Sequence, residues 1–363
     1  MQLTKRALIA MSGGVDSSVA AYLMLAKGFQ CAWATMRQFR NSDVHWAGAS
    51  SCCSWRDMED AAKIAYRLGI PHTVLDFTEE FRREVMDKFA QIYEKGETPN
   101  PCLDCNRCMR AGHLLEYARK MGFDVVATGH YARIVYDDTL GRYLLKRGLD
   151  KSKDQSYVHY AMTQKQLAHT RFPLGELRKD DVRKLAGRLG FSNARKRDSQ
   201  DICFVPDGDY AAFLEQRTGK TYPPGDFLDL DGNVVGRHRG VVRYTIGQRR
   251  GLGLPMGERV YVCAKDLVKN TVTIGPESAL YSSGLIAGDV NWIAFDALAA
   301  PLRVTVQTRY RQQDRPAAVT PQADGTVQVD FYQPQRAVTP GQAAVFYDGD
   351  TVLGGGTILR AIP

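Results

Sequence analysis

The sequence predicts an α/β architecture: an open parallel sheet first, then a small β-rich middle domain and a C-terminal β-barrel. Three observations predict it. Apolar runs of strand length alternate with amphipathic helical stretches up to about residue 135. A glycine-rich turn joins the first apolar run directly to the first helix. Beyond about residue 205 the pattern shifts to short β-like runs broken by Gly, Pro, Asn and Asp. Strand–helix alternation implies a parallel sheet covered on both faces by helices. Short, evenly spaced strands imply small all-β units. The expected domains are 1–205, 206–280 and 281–363.

The elements follow in order. Residues 7–11 (ALIAM) form a strand and 17–27 a helix. Residues 30–35 form the next strand. Over 55–68, Met58, Ala61, Ala62, Ala65 and Leu68 recur at helical spacing. Gly69, Ile70 and Pro71 stop that helix ahead of a strand at 72–76. Helices follow at 78–95 and 112–121, and a buried strand at 124–128. Ligands of parallel sheets bind at the carboxyl ends of the strands. Residues 12–18, Met36 and 128–130 fall at such ends. The β-like runs of the second half are 234–235, 241–245, 260–264, 271–274, 303–308, 326–331, 343–347 and 357–361.

Lys and Arg total 48 against 40 Asp and Glu, a net charge of +8. That balance suits a polyanionic partner. No apolar run reaches the roughly 20 residues that span a bilayer, and the first strand begins within a few residues of the start. No membrane partner and a cytoplasmic location are therefore expected. The eight cysteines are expected to stay reduced there, so that clustered thiols point to redox, metal or catalytic use. Cys52 and Cys53 carry no assignment.

Three clusters carry chemistry. The first is SGGVDSS over 12–18. Paired glycines let the backbone turn tightly and approach a ligand. The helix that follows presents unpaired N–H groups and its positive dipole end to phosphate. Asp16 either holds Mg²⁺ or orients the loop. The ending is not the Gly-Lys-Ser/Thr of a Walker A loop; it is similar to the SGGxDS loop of the N-type ATP pyrophosphatases. The second cluster is TPNPCLDCNRC over 98–108, whose two prolines predict a rigid loop leading to a helix near Met109. Arg107 and Arg110 would favour a nearby thiolate. Cys102, Cys105 and Cys108 leave three readings open: a sulfur-transfer nucleophile, a zinc site, or an iron–sulfur cluster. The third is KRDSQDICFV over 196–205, in which Cys203 follows a charged turn.

Together with TGHYA (128–132), DQSY (154–157), YTIGQRRGLG (244–253), TRYRQ (308–312) and VTPGQA (338–343), these motifs resemble the tRNA-specific 2-thiouridylases of the MnmA type, in the same order along nearly the whole chain. The resemblance implies an adenine nucleotide α-hydrolase type of N-terminal domain. It also implies that ATP adenylates C2 of the wobble uridine (U34) of tRNA and that sulfur then displaces AMP. Mapped onto this chain, it places Ala10, Met11, Ser12, Gly13, Gly14, Val15, Asp16, Ser17, Met36 and Gly129 on ATP. It places Asn100, Pro101 and Cys102 at the target base, Cys105 as nucleophile and Cys203 as persulfide carrier. His130, Lys153, Asp154, Gln155, Arg309, Tyr310 and Gln342 fall at its tRNA contacts. The implied cofactors are ATP and Mg²⁺; the implied partners are the tRNA anticodon stem-loop and a persulfide or sulfide donor. One departure matters: some members carry Asp where this chain has Cys102. The third thiol keeps a [4Fe–4S] cluster on Cys102, Cys105 and Cys203 open beside a persulfide relay. An amidotransferase-type synthetase, the rival enzyme, leaves these thiols unexplained; a non-catalytic tRNA-binding module leaves the intact SGGVDSS loop unexplained.

Overall fold

The computed structural model describes residues 4–40, 43–44, 55–196, 202–255 and 257–363. Cys52, Cys53 and residues 197–201 of the third cluster lie outside the described residues. The chain divides into two compact units: residues 1–85, 101–208 and 349–353, and residues 86–100, 209–348 and 354–363.

In the first unit, β1 (Arg6–Met11), β2 (Gln30–Arg37), β3 (His72–Asp76), β4 (Val125–Ala127) and β7 (Thr170–Arg171) form a sheet in the order β3-β2-β1-β4-β7. Every pairing in it is parallel. β1 lies at the centre, with Ile9 opposite Trp33 on one side and Ala127 on the other. Alternation along β1 feeds two cores. Ala7, Ile9 and Met11 pack with Val19 and Trp33; Leu8 and Ala10 pack with Met36, Leu114 and Val126. Burial on both faces explains why the strand reads as a continuous apolar run. Helix α1 (Val15–Ala26) starts two residues earlier than the sequence suggests.

The cysteine segment differs from expectation. It is not a loop: a helix begins at Pro101 and continues to Lys120, with a π-helical stretch over Cys105–Leu114. Proline breaks a helix interior, but at the first helical position its fixed φ is preset and its missing N–H costs nothing. Cys105 therefore sits inside a helix, at the start of the wider π turn. A hairpin of β5 (Ala132–Asp137) and β6 (Arg142–Arg147), absent from the sequence reading, follows β4. β6 also pairs with Thr351 and Val352.

In the second unit, β8 (Gly225–Leu228), β9 (Val234–His238), β10 (Tyr261–Asp266) and β11 (Thr271–Gly275) form a sheet in the order β10-β11-β8-β9. Phe227, His238 and Tyr244 meet edge to face in its core, with ring centroids 5.2–5.7 Å apart. The run 241–245, expected as a strand, begins with a 3₁₀ turn at Val241–Arg243. Gly240, at φ +112°, redirects the chain just before it. β12 (Tyr281–Trp292), β13 (Leu302–Gln307), β14 (Arg315–Pro321), β15 (Val327–Arg336), β16 (Ala343–Asp348) and β17 (Thr351–Ile362) close, through the β12–β17 pairing, into the expected C-terminal barrel, which has six strands. Among the described residues no helix is long and apolar enough to cross a membrane.

Candidate active site

The loop between β1 and α1 is built from its own hydroxyls. Gly13 turns at φ +68°. Ser17 Oγ and Ser18 Oγ each donate to the Gly14 carbonyl at 3.0 Å. Ser12 N donates to Ser17 Oγ at 3.4 Å, leaving Ser12 exposed at the mouth. The loop is braced from residues distant in sequence. Lys179 is 5% exposed and its Nζ lies 2.8 and 2.7 Å from the two Asp16 oxygens. Tyr131 Oη donates to Asp16 Oδ1 at 2.8 Å. Asn193 Nδ2 donates to Ser18 Oγ at 2.9 Å, and Lys196 Nζ lies 3.4 Å from the Gly13 carbonyl. Asp16 thus orients the loop. Both its oxygens are engaged by Lys179 and Tyr131. Among the described residues no three of His, Cys, Asp and Glu gather as a metal-holding group.

Gly129 closes the loop from behind. A Cβ there would lie 2.7 Å from Asp16 C and Ser17 N, so glycine is the only residue that lets the 128–130 turn meet the start of α1. Ala10 and Met11 end β1 in the sheet core, and Val15 is buried. Met36 is also buried, in the core cluster that holds Leu114.

The cysteine helix carries the second half of the site. Cys105 is 8% exposed and its Sγ accepts from two side chains, Arg110 Nη1 at 3.3 Å and Gln38 Nε2 at 3.4 Å. Both donors solvate negative charge on sulfur. Arg110 is held in turn by Asn106 Oδ1 at 3.2 Å, and Asn106 Nδ2 donates to the Cys102 carbonyl at 2.9 Å. Cys102 is exposed one turn earlier, and Cys108 is half-buried. Cys203 is half-buried and precedes Phe204 and Val205, both core residues. Phe204 packs edge to face on Phe81 at 5.8 Å; Phe81 packs on Phe39 at 5.9 Å; Phe39 adjoins Gln38, the Cys105 donor. An unbroken series of contacts thus ties the Cys203 segment to the Cys105 pocket. Cys102, Cys105 and Cys203 are all described, and among the described residues they form no metal-holding group.

The 153–155 segment joins the same unit. Gln155 Oε1 accepts from Tyr131 N at 2.9 Å, which links it to the residue that holds Asp16. Asp154 accepts from Gly148 N at 2.9 Å and Ser156 Oγ at 2.9 Å, yet burial still pushes its pKa up. Lys153 is half-buried beside it. His130 Nδ1 lies 2.7 Å from Thr128 Oγ1, and its ring stands 4.4 Å from that of His159. Burial and the Arg110 charge push the pKa of His159 down to about 3; burial, with His159 and Arg110, moves that of His130 well below the ordinary value. The unfolded chain protonates both near 6.5 and the folded chain resists it. Stability should therefore be complete above pH 6.5 and decline as the pH falls toward 3. Unfolding midpoints across that window check this, and His159→Leu should flatten the slope.

In the second unit, Gln342 is 5% exposed and its amide donates to the Thr98 and Pro99 carbonyls at 2.9 and 3.1 Å. Its amide is thus occupied in holding the chain that leads to half-buried Asn100; Pro101, in the first unit, is buried. Arg309 Nη2 donates to Thr339 Oγ1 at 3.3 Å, and Arg311 stands 5.3 Å over the Tyr310 ring. Sequence reasoning missed Lys179, Asn193, Gln38 and His159. No motif marks them: Lys179 lies 163 residues from Asp16, and only the sheet brings them together.

A model described as the tRNA methyl transferase HUP domain matches residues 5–207, a PRC-barrel domain model matches 211–276, and an aminomethyltransferase β-barrel domain model matches 282–358. A protein of Acetivibrio thermocellus named tRNA-specific 2-thiouridylase MnmA is 47% identical, over 98% of this chain and 99% of its own. One of the same name from Desulforamulus reducens is 48% identical, over 100% and 99%.

Proposed function

Because this chain belongs to the tRNA-specific 2-thiouridylase family and is a tRNA sulfurtransferase, we propose that it makes 2-thiouridine at U34 by adenylation followed by a persulfide relay. The Ser12–Ser18 loop and Gly129 grip ATP. Uridine O2 attacks the α-phosphorus, the Pα–O–Pβ bond breaks, and pyrophosphate leaves. The N-terminus of α1, the loop N–H groups and Lys196 stabilise the charge released on it. Adenylation matters because a urea-like carbonyl oxygen is a poor leaving group and AMP is a good one. When bound, Mg²⁺ neutralises the phosphates; no side-chain cage for it is needed, since it commonly binds through phosphates and water.

Cys203 brings the sulfur as a persulfide drawn from a donor. The outer sulfur attacks C2 and AMP leaves, joining the base to Cys203 through a disulfide. The Cys105 thiolate attacks Cys203 Sγ, the S–S bond breaks, and thiouridine departs with the electron pair. A Cys105–Cys203 disulfide remains, for an external thiol to reduce. The observation that carries this reading is the Cys105 pocket: a buried sulfur with two donors, tied through Phe39, Phe81 and Phe204 to the Cys203 segment. Arg309 and Tyr310 of the barrel are suited to phosphate and base stacking on tRNA.

The test is iron-free enzyme supplied with ATP, tRNA and a persulfide donor. Turnover is expected, with Cys102→Ser keeping most of it. Dependence on added iron and sulfide, with Cys102→Ser inactive, would overturn the relay.

A further inference from the structure

Beside Arg110 lies a small cavity of about 10 Å³, room for about one water. Asn106, Arg110, Thr128, His159 and Phe172 are among its walls. His159 is 4% exposed, and neither ring nitrogen meets a partner among the described residues. A neutral imidazole offers one N–H donor and one acceptor. Leaving both unmet in a buried site costs about 1–3 kcal/mol each. The ring cannot swing away to find partners. His130 packs on it edge to face at 4.4 Å, and Phe172 lies against it at 4.6 Å. The charged group facing it is the Arg110 guanidinium, and the titratable one is the His130 ring. Arg110 also lines the cavity, and its Nη1 donates to Cys105 and Asn106.

We propose that His159 is a positioning residue for Cys105: it holds one internal water that bridges to Arg110 and fixes the guanidinium beneath the sulfur. The cavity has room for about one water, and Asn106, Arg110, Thr128 and His159 bring polar groups to its walls, which is what an ordered internal water needs. A neutral imidazole serves because its lone pair accepts from the water while adding no charge to compete with the thiolate for Arg110. The inference rests on the assignment of Cys105 as the attacking thiolate.

The test is the rate of Cys105 carbamidomethylation by iodoacetamide at pH 7.5, followed by fragment mass spectrometry. His159→Leu should slow it about tenfold, the size of one hydrogen bond to a charged group. His159→Gln keeps a donor and an acceptor and should restore most of the rate, which a mere packing role would not allow. Arg110→Met serves as the control. If Arg110→Met slows the reaction and His159→Leu does not, the proposal fails while the reading of Cys105 stands. If Arg110→Met has no effect, the thiolate reading itself fails. A crystal structure of the wild-type protein gives a check that needs no variant. A water within hydrogen-bonding distance of both His159 and Arg110 is expected, and a dry cavity would overturn the proposal.

Discussion

Gly129→Ala is expected to abolish tRNA-dependent ATP–pyrophosphate exchange while the rest of the fold survives. The added methyl group would lie 2.7 Å from two backbone atoms of the Asp16–Ser17 peptide and 3.0 Å from Asp16 Cβ. No flexible side-chain end is there to yield, so the start of α1 must move. Moving it displaces the N–H groups and hydroxyls proposed to receive the pyrophosphate. Losing even one preorganised donor of this kind costs about 10²–10³ in rate, and this substitution shifts several together. Circular dichroism and the melting temperature should change far less than the exchange rate. Exchange at the wild-type rate would mean that the loop is not where the phosphates bind.

Cys105→Ser should give an equally large effect at the later step. Adenylation needs no thiol, so pyrophosphate release on mixing with ATP and tRNA should continue. Thiouridine, read by nucleoside chromatography, should fall by about 10³-fold or more, as when a nucleophile is removed elsewhere. The relay also predicts what accumulates. Without Cys105 to resolve it, the base stays joined to Cys203 through a disulfide. A protein–tRNA adduct that survives urea and is released by dithiothreitol is the expected product. Normal thiolation in this variant would exclude Cys105 as the resolving group.

The sheet and the phosphate loop were legible because local rules govern them. Residues 7–11 are apolar on every position, which only a strand buried on both faces requires, and two glycines followed by serines have few uses beyond a strand-to-helix turn. The strand at 72–76 matches its expected bounds. The helix at Pro101 was not legible, since a proline pair reads as a loop unless one knows that the second begins the helix. The β5–β6 hairpin escaped because residues such as Arg133, Lys146 and Arg147 dilute its alternation. In the site, the motif residues were legible and their supports were not. Lys179 reads as an ordinary helix lysine until the fold brings it to Asp16. Gln342 falls in a recognisable motif, but its bonds to Thr98 and Pro99 come from register and pairing far along the chain.

The pairing of β6 with Thr351 and Val352 bears on how the protein is made. Leu145 is wholly buried, and its strand partner Val352 lies more than 200 residues further on. Arg147 N also donates to the Asp350 carbonyl at 2.8 Å, and Arg133 meets the Asp350 carboxylate at 3.3 Å. At about 5–20 residues per second, a ribosome takes roughly 10–40 s to deliver that stretch. Through this interval the β5–β6 hairpin leaves the ribosome with one edge unpaired, open to any passing strand. The N-terminal unit therefore completes its fold only after nearly the whole polypeptide has emerged, and a chain cut short before residue 350 leaves that edge open to aggregation.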